Sequence, residues 1–163
     1  MTMRAAVLTV SDGVFWDERE DASGAVLAEA AADAGFEVAY RAVVPDERSQ
    51  IAERVMAWCD GQGDLALVLV TGGTGFAPRD VTPEALGPLY HRRAPGLDEA
   101  MRAAALRDKP HGMLTRGVSG VRARTLILSF PGSPNACREG FAVVRPVLDH
   151  ALRLLREVPT AHL

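Results

Sequence analysis

Six consecutive apolar residues, 65–70, run without polar alternation into Thr71, and three glycines fall within the next four positions. An apolar run of strand length with no polar face belongs to a strand buried on both sides, as in a parallel sheet covered by helices. Gly72, Gly73 and Gly75 permit positive φ and the close approach of a ligand to the backbone. Successive amides in such a turn converge on an anion-binding hollow, and the hydroxyls of Thr71 and Thr74 add donors. The carboxylate of Asp80 follows, ahead of a helix start at Thr82-Pro83, where Thr82 is placed to cap and Pro83 to take the first helical position. Residues 65–84 therefore read as a strand, a cradle and a helix mouth. The expected guest is a phosphate.

Two known phosphate-loop patterns do not fit. A Walker loop ends in Gly-Lys-Ser/Thr, whereas Phe76 follows Gly75 and the loop has no lysine. A dinucleotide fingerprint begun at Gly73 needs a third glycine where Pro78 stands.

Upstream, residues 4–10 form a first strand that Ser11-Asp12-Gly13 breaks. Residues 14–21 mix Phe15 and Trp16 with charged residues and read as a loop folding over a neighbouring surface. Asp21 or Ser23 caps a helix to Asp33, which Gly35 closes in the left-handed conformation, and residues 36–44 form a second strand. Pro45-Asp46-Glu47 opens a helix with Ile51, Val55, Met56, Trp58 and Cys59 on one broad face, closed by Gly61 and Gly63. Asp46 has two readings here: an N-cap contributing ~1 kcal/mol, or a carboxylate sharing a sheet edge with Asp80. The residues alone leave both open.

Downstream, the pattern predicts an alanine-rich helix over 97–106 that packs closely on a neighbour and ends at Pro110-His111-Gly112. Short strands over 113–117, 120–124 and 125–130 follow, with a hairpin connection across Gly117–Gly120. Pro131-Gly132-Ser133-Pro134 makes a second small-residue turn, and residues 135–157 form a helix that Pro146 kinks or divides. The tail, 158–163, is expected to fray. Alternating strands and helices give an α/β fold, a three-layer α/β/α sandwich with a mostly parallel central sheet and a short hairpin near 113–125, as one domain over 1–163. In that architecture Ser11, Asp12, Asp46, residues 71–80 and Pro131, Gly132 and Ser133 share the edge at the carboxyl ends of the strands.

The net charge of −3 hides an asymmetry: residues 1–64 hold thirteen acids against five bases, residues 65–163 eight against thirteen. Arg79, Arg92, Arg93, Arg116, Arg122 and Arg124 are candidates for a positive field around an anionic ligand. No basic run is interleaved with aromatics, so nucleic acid is not expected, and no apolar run approaches the ~20 residues of a membrane span. The first residues lead straight into a strand without a signal-like apolar core, so a cytoplasmic protein is expected. Cys59 and Cys137 lack metal-ligand spacing and read as reduced structural thiols. His91, His111, His150 and His162 are scattered, and no nucleophile elbow or zinc pattern is present.

Chemistry without a protein nucleophile points to phosphate as the reacting group. A phosphate monoester is largely dianionic at neutral pH and needs no base to attack. Such a reaction needs charge neutralisation and alignment, which magnesium on Asp46 and Asp80 and an amide cradle would supply.

Thr71-Gly-Gly-Thr-Gly75 followed by Arg79-Asp-Val-Thr-Pro-Glu-Ala85 resembles the molybdopterin adenylyltransferases of the MogA and MoaB family, to which gephyrin G domains are related. Supporting stretches are Leu8-Thr-Val-Ser-Asp12, Val44-Pro-Asp-Glu47, Pro95-Gly-Leu97, Gly117-Val-Ser-Gly-Val-Arg122 and Leu126-Ile-Leu-Ser-Phe-Pro-Gly-Ser-Pro-Asn-Ala136, so the likeness covers residues 5 to about 157. The resemblance implies a trimer or hexamer, other molybdenum cofactor proteins as partners, and AMP transfer from ATP with Mg²⁺ to molybdopterin. It makes Asp46 and Asp80 the catalytic and metal-binding residues, and Gly72, Gly73, Thr74 and Gly75 the phosphate loop. Thr115 stands where many members have the serine of a Ser-Arg pair, and Ser133 replaces another small polar residue. Related insertase and competence-damage proteins lack the continuation at 79–83. The competing expectations are a pterin-binding or scaffold module of the same fold and a nucleotide-dependent oxidoreductase, the latter disfavoured by the missing glycine.

Overall fold

The computed structural model describes residues 2–159. The expectation for the tail lies outside the described residues from 160 onward. A six-stranded sheet runs through the centre. Four strands are parallel: β1 (Arg4–Val10), β2 (Glu37–Val44), β3 (Leu65–Thr71) and β6 (Thr125–Phe130), in the order β2-β1-β3-β6. β5 (Gly120–Arg122) and β4 (Arg92–Arg93) extend the sheet antiparallel beyond β6. Every residue of β3 is buried, which is why its side chains show no polar alternation.

Alternate side chains of the strands feed two separate cores. On one face Val7, Leu67, Leu69, Leu128 and Phe130 meet α2 (Ala22–Asp33) and α6 (Pro134–Leu155). α6 presents Cys137, Phe141, Val144, Leu148 and Leu152 at helical spacing and runs unbroken through Pro146, whose ring is exposed. On the other face Leu8, Val68, Val70 and Ile127 meet Ile51 and Val55 of α3 (Arg48–Asp60) and Ala85 and Leu86 of α4 (Thr82–Leu86). Helices thus cover both faces, as the alternating pattern requires. α5 (Pro95–Asp108) packs on α6 as expected, through half-buried Leu97 and Met101, although none of its residues is fully buried.

Several local expectations are corrected. Residues 12–15, expected to be irregular, form the short helix α1 (Asp12–Phe15), because the Ser11 hydroxyl accepts a hydrogen bond from the Val14 amide and caps it. Asp21, rather than Ser23, caps α2 by accepting from the Gly24 amide, and Gly35 follows with φ +92°. The strand expected over 113–117 is not formed: residues 110–114 make a 3-10 turn and 115–117 run on without strand pairing. The hairpin turns at Ala123-Arg124, with Ala123 at φ +51°, and not across Gly117–Gly120. Those two glycines serve close packing. A Cβ at Gly120 would stand 2.4 Å from the Tyr90 ring, and one at Gly117 3.2 Å from Ser129 Oγ. Among the described residues no helix is long and apolar enough to cross a membrane.

Candidate functional site

The loops that leave β1, β2, β3 and β6 surround one cavity of about 790 Å³ at the carboxyl edge of the sheet. Register determines what meets there. Val10 pairs with Val44 at the ends of β1 and β2, so Asp12 and Asp46 each stand two residues beyond the last pair. Asp46 Oδ2 accepts from the Asp12 amide at 2.8 Å, and Asp12 Oδ1 accepts from the Asp46 amide at 3.0 Å. The N-cap reading of Asp46 is therefore overturned. Glu47 holds the N-cap position of α3 with no side-chain bond, while the carboxylate of Asp46 bridges to the neighbouring loop.

The glycine loop bends because its carbonyls are tied down. Thr82 is not the cap of α4. Its hydroxyl donates to the Gly72 carbonyl at 2.8 Å, and its amide donates to Gly73 O at 3.0 Å. Arg116 holds the far side: its amide donates to Thr74 O at 2.8 Å, Nε to Gly75 O at 2.7 Å and Nη2 to Asp80 O at 2.8 Å. Its remaining nitrogen pairs with Glu84. With those carbonyls engaged, the amides of Gly73, Thr74 and Gly75 donate to no acceptor among the described residues. Three successive amides left free beside a cavity are donors available to an anion in that hollow.

Both aspartates border that hollow. A Cβ at Gly73 would stand 3.1 Å from Asp46 Oδ1, and one at Gly75 would stand 2.9 Å from Asp80 Oδ2. Burial pushes the Asp46 carboxyl above the usual range; the hydrogen bond from Asp12's amide opposes this, and the charges of Asp12 and Asp80 reinforce it. A cation between Asp46 and Asp80 would relieve this strain, and a pair of carboxylates suits Mg²⁺, which takes its other ligands from phosphate and water. Among the described residues no group of three or more His, Cys, Asp or Glu side chains is arranged to hold a metal by itself.

Of the residues singled out from the sequence, Ser11, Asp46, Gly72, Gly73, Thr74, Gly75, Asp80, Thr115, Pro131, Gly132 and Ser133 line the cavity. Asp12 and Thr71 stand behind it. Thr71 is fully buried and donates to the Pro131 carbonyl at 2.8 Å, joining the two small-residue turns. Ser133 caps α6 by accepting from the Ala136 amide. Burial pushes the thiols of Cys59 and Cys137 up to about 11, so both are neutral and neither is a nucleophile at neutral pH.

The arginine field is corrected. None of the six arginines named for it lines the cavity; Arg79 bonds Asp12 and Glu47, and Arg122 bonds Asp60. Sequence reasoning missed Arg116 as the brace of the glycine loop, though its place after Thr115 in the Ser-Arg pair was a signal for it.

The sequence profile described as a probable molybdopterin binding domain matches residues 6–150. The crystal structure of the molybdopterin biosynthesis enzyme MoaB from Thermus thermophilus superimposes with a TM-score of 0.90 at 49% identity, covering 97% of this chain and 99% of that one. A molybdopterin adenylyltransferase of Helicobacter pylori is 34% identical over 156 residues, 94% of this chain and 88% of the relative. Gephyrin of Dictyostelium discoideum is 46% identical over 121 residues, 74% of this chain, but the match spans only 17% of that longer protein. Two further curated relatives are also longer, matched over 25% and 48% of their lengths. Together with the loop geometry at the carboxyl edge of the sheet, these likenesses establish that the chain belongs to the molybdopterin-binding domain family of MogA and MoaB.

Proposed function

We propose that this member of a molybdenum cofactor biosynthesis family transfers AMP from ATP to the terminal phosphate of molybdopterin. A phosphate oxygen of the pterin attacks the α-phosphorus, the bond to the β-phosphate oxygen breaks, and pyrophosphate leaves with that electron pair. The observation that carries the reading is the placement of Asp46 Oδ1 and Asp80 Oδ2 against Gly73 and Gly75, beside three unengaged amides. The amides hold phosphoryl oxygens, and the aspartates hold the metal of the nucleotide. Magnesium bound there would neutralise charge on the phosphates as it redistributes. Asp12 and Arg116 keep both elements in place from behind. The cavity lies within the size range of small-molecule sites, toward its upper end, which suits two substrates together. Assembly as a trimer or hexamer, work alongside other molybdenum cofactor proteins and a cytoplasmic location belong to the same reading and rest on the resemblance.

The test is pyrophosphate release from ATP with magnesium, with and without molybdopterin, using the full chain. Release that depends on the pterin and disappears in Asp80→Ala supports transfer. Saturable pterin binding without release, unaffected by Asp46→Ala and Asp80→Ala, would make the chain a binding module instead.

A further inference from the structure

Arg19 stands among carboxylates that it does not use. Asp17, Glu18, Glu20 and Asp21 lie within two residues of it, yet among the described residues none of them pairs with its guanidinium. Asp21 is engaged elsewhere, by Thr9, the Gly24 amide and Arg41. Arg19 turns the other way, and Nη2 donates to Ser11 Oγ at 3.1 Å. Glycine at position 13 makes this possible, since a Cβ there would stand 2.7 Å from Arg19 Nε and 3.2 Å from Cζ. The guanidinium therefore lies over the start of α1.

This placement arms one end of the cavity with donors. Ser11 Oγ accepts from both the Val14 amide and Arg19, which engages its lone pairs and leaves its own proton to be given to a third partner. Both Ser11 and Arg19 line the cavity. The rest of the charged lining is mostly acidic, with Glu20, Asp46, Asp80, Asp108 and Glu139 set against Lys109. A phosphate ester entering this space meets a negative wall, and Arg19 is a permanent cation positioned to offset it with a planar fork suited to phosphoryl oxygens.

We propose that Arg19, laid over Gly13 onto Ser11, is a phosphate-binding residue of the cavity that engages a phosphoryl group of the bound nucleotide. The identity of that ligand rests on the adenylyltransferase reading; the anion-binding role rests on the placement of Arg19, Gly13 and Ser11.

The test is calorimetric titration of the full chain with AMP and, separately, with inorganic pyrophosphate, both with magnesium present. Arg19→Ala is expected to weaken at least one of them by about ten-fold or more, the loss of a charge-assisted hydrogen bond. Arg19→Lys recovers part of the affinity. Gly13→Ala keeps the charge and meets only a flexible side chain, so it preserves the fold, yet its methyl displaces the guanidinium and weakens binding in the same direction. Weakening confined to AMP places Arg19 at the α-phosphoryl group, and weakening confined to pyrophosphate places it at the leaving group. If the parent binds both ligands and Arg19→Ala binds them equally well, the inference is wrong while the proposed function stands. If the parent binds neither, both fall.

Discussion

Asp12 and Asp46 each accept the other's backbone amide, and this reciprocal pair joins the loops after β1 and β2. It engages Oδ2 of Asp46 and leaves Oδ1 facing Gly73. Arg79 grips Asp12 through Nε at 2.6 Å and Nη2 at 3.1 Å, and it immediately precedes Asp80. The two cavity aspartates are thereby connected through Asp12. Asp12→Ala is expected to cost about 1.5–3 kcal/mol in urea unfolding, the range for losing a hydrogen bond to a charged acceptor. It should also raise the magnesium concentration needed for half-maximal turnover, because Asp46 loses its anchor. A variant with unchanged magnesium dependence would show that Asp46 positions itself.

The same pair sets an acid limit. Arg79's hydrogen bonds hold the Asp12 carboxyl below the usual range, and the bond from Asp46's amide adds to this. A folded value below the unfolded one gives stability that is present above the ordinary aspartate pKa of about 4 and lost as pH falls through the folded value. Arg79→Ala should therefore lower stability at neutral pH while flattening the loss on acidification below about pH 4. Both partners are solvent-accessible, so added salt should shrink the difference. Equilibrium unfolding between neutral and acid pH, at low and high salt, measures this directly.

For Asp46 the sign is reversed. Burial holds its carboxyl above the usual range, so its favourable contribution is present below the unfolded pKa and lost as pH rises through the folded one. At neutral pH the ionised group is a cost to the free protein. Asp46→Asn retains an acceptor for the Asp12 amide and removes that charge. It is expected to match or exceed the parent in thermal stability without metal, and to fall at least ~100-fold in turnover, in line with a site that trades stability for function. Magnesium with ATP should raise the melting temperature of the parent and leave the variant unmoved. Equal stabilisation of both would remove Asp46 from the metal site.

The central strand, the glycine-rich turn after it and the edge shared by Ser11, Asp46 and Asp80 were legible in the sequence for a single reason. An apolar run without alternation has one comfortable environment, and parallel strands then deliver their following loops to one side. What escaped depended on partners distant in the chain. Thr82 has the sequence context of a helix cap, but the Gly72 carbonyl lies within reach of its hydroxyl and takes the bond. Gly117 and Gly120 look like turn residues, whereas their lack of a side chain is used by Ser129 and Tyr90. Arg92-Arg93 has no strand pattern at all and becomes β4 only through pairing with Gly120 and Val121. Arg19 is surrounded by acids in sequence, and only the fold turns it toward Ser11.

Glycine substitutions in the loop separate folding from function. Gly72 sits at φ +102°, and a Cβ there would stand 2.1 Å from the Val10 carbonyl oxygen, a backbone atom of the central sheet that has no room to yield. The conformation alone costs a non-glycine residue about 1–3 kcal/mol, and the collision adds to it, so Gly72→Ala should lower stability severely and the yield of folded protein with it. Gly75 has no positive φ, and the nearest atom to its added Cβ would be Asp80 Oδ2 at 2.9 Å, the end of a side chain that can swing away by giving up its exposed bond from the Ala77 amide to water. Gly75→Ala should therefore fold with a melting temperature close to the parent's. The cost falls on the cavity instead: the methyl fills the hollow beside a free amide and displaces the Asp80 carboxylate, so nucleotide affinity and turnover should both drop by about ten-fold or more. Thermal unfolding paired with nucleotide titration distinguishes the two. A Gly75→Ala variant that binds and turns over ATP like the parent would mean that phosphate does not approach this end of the loop.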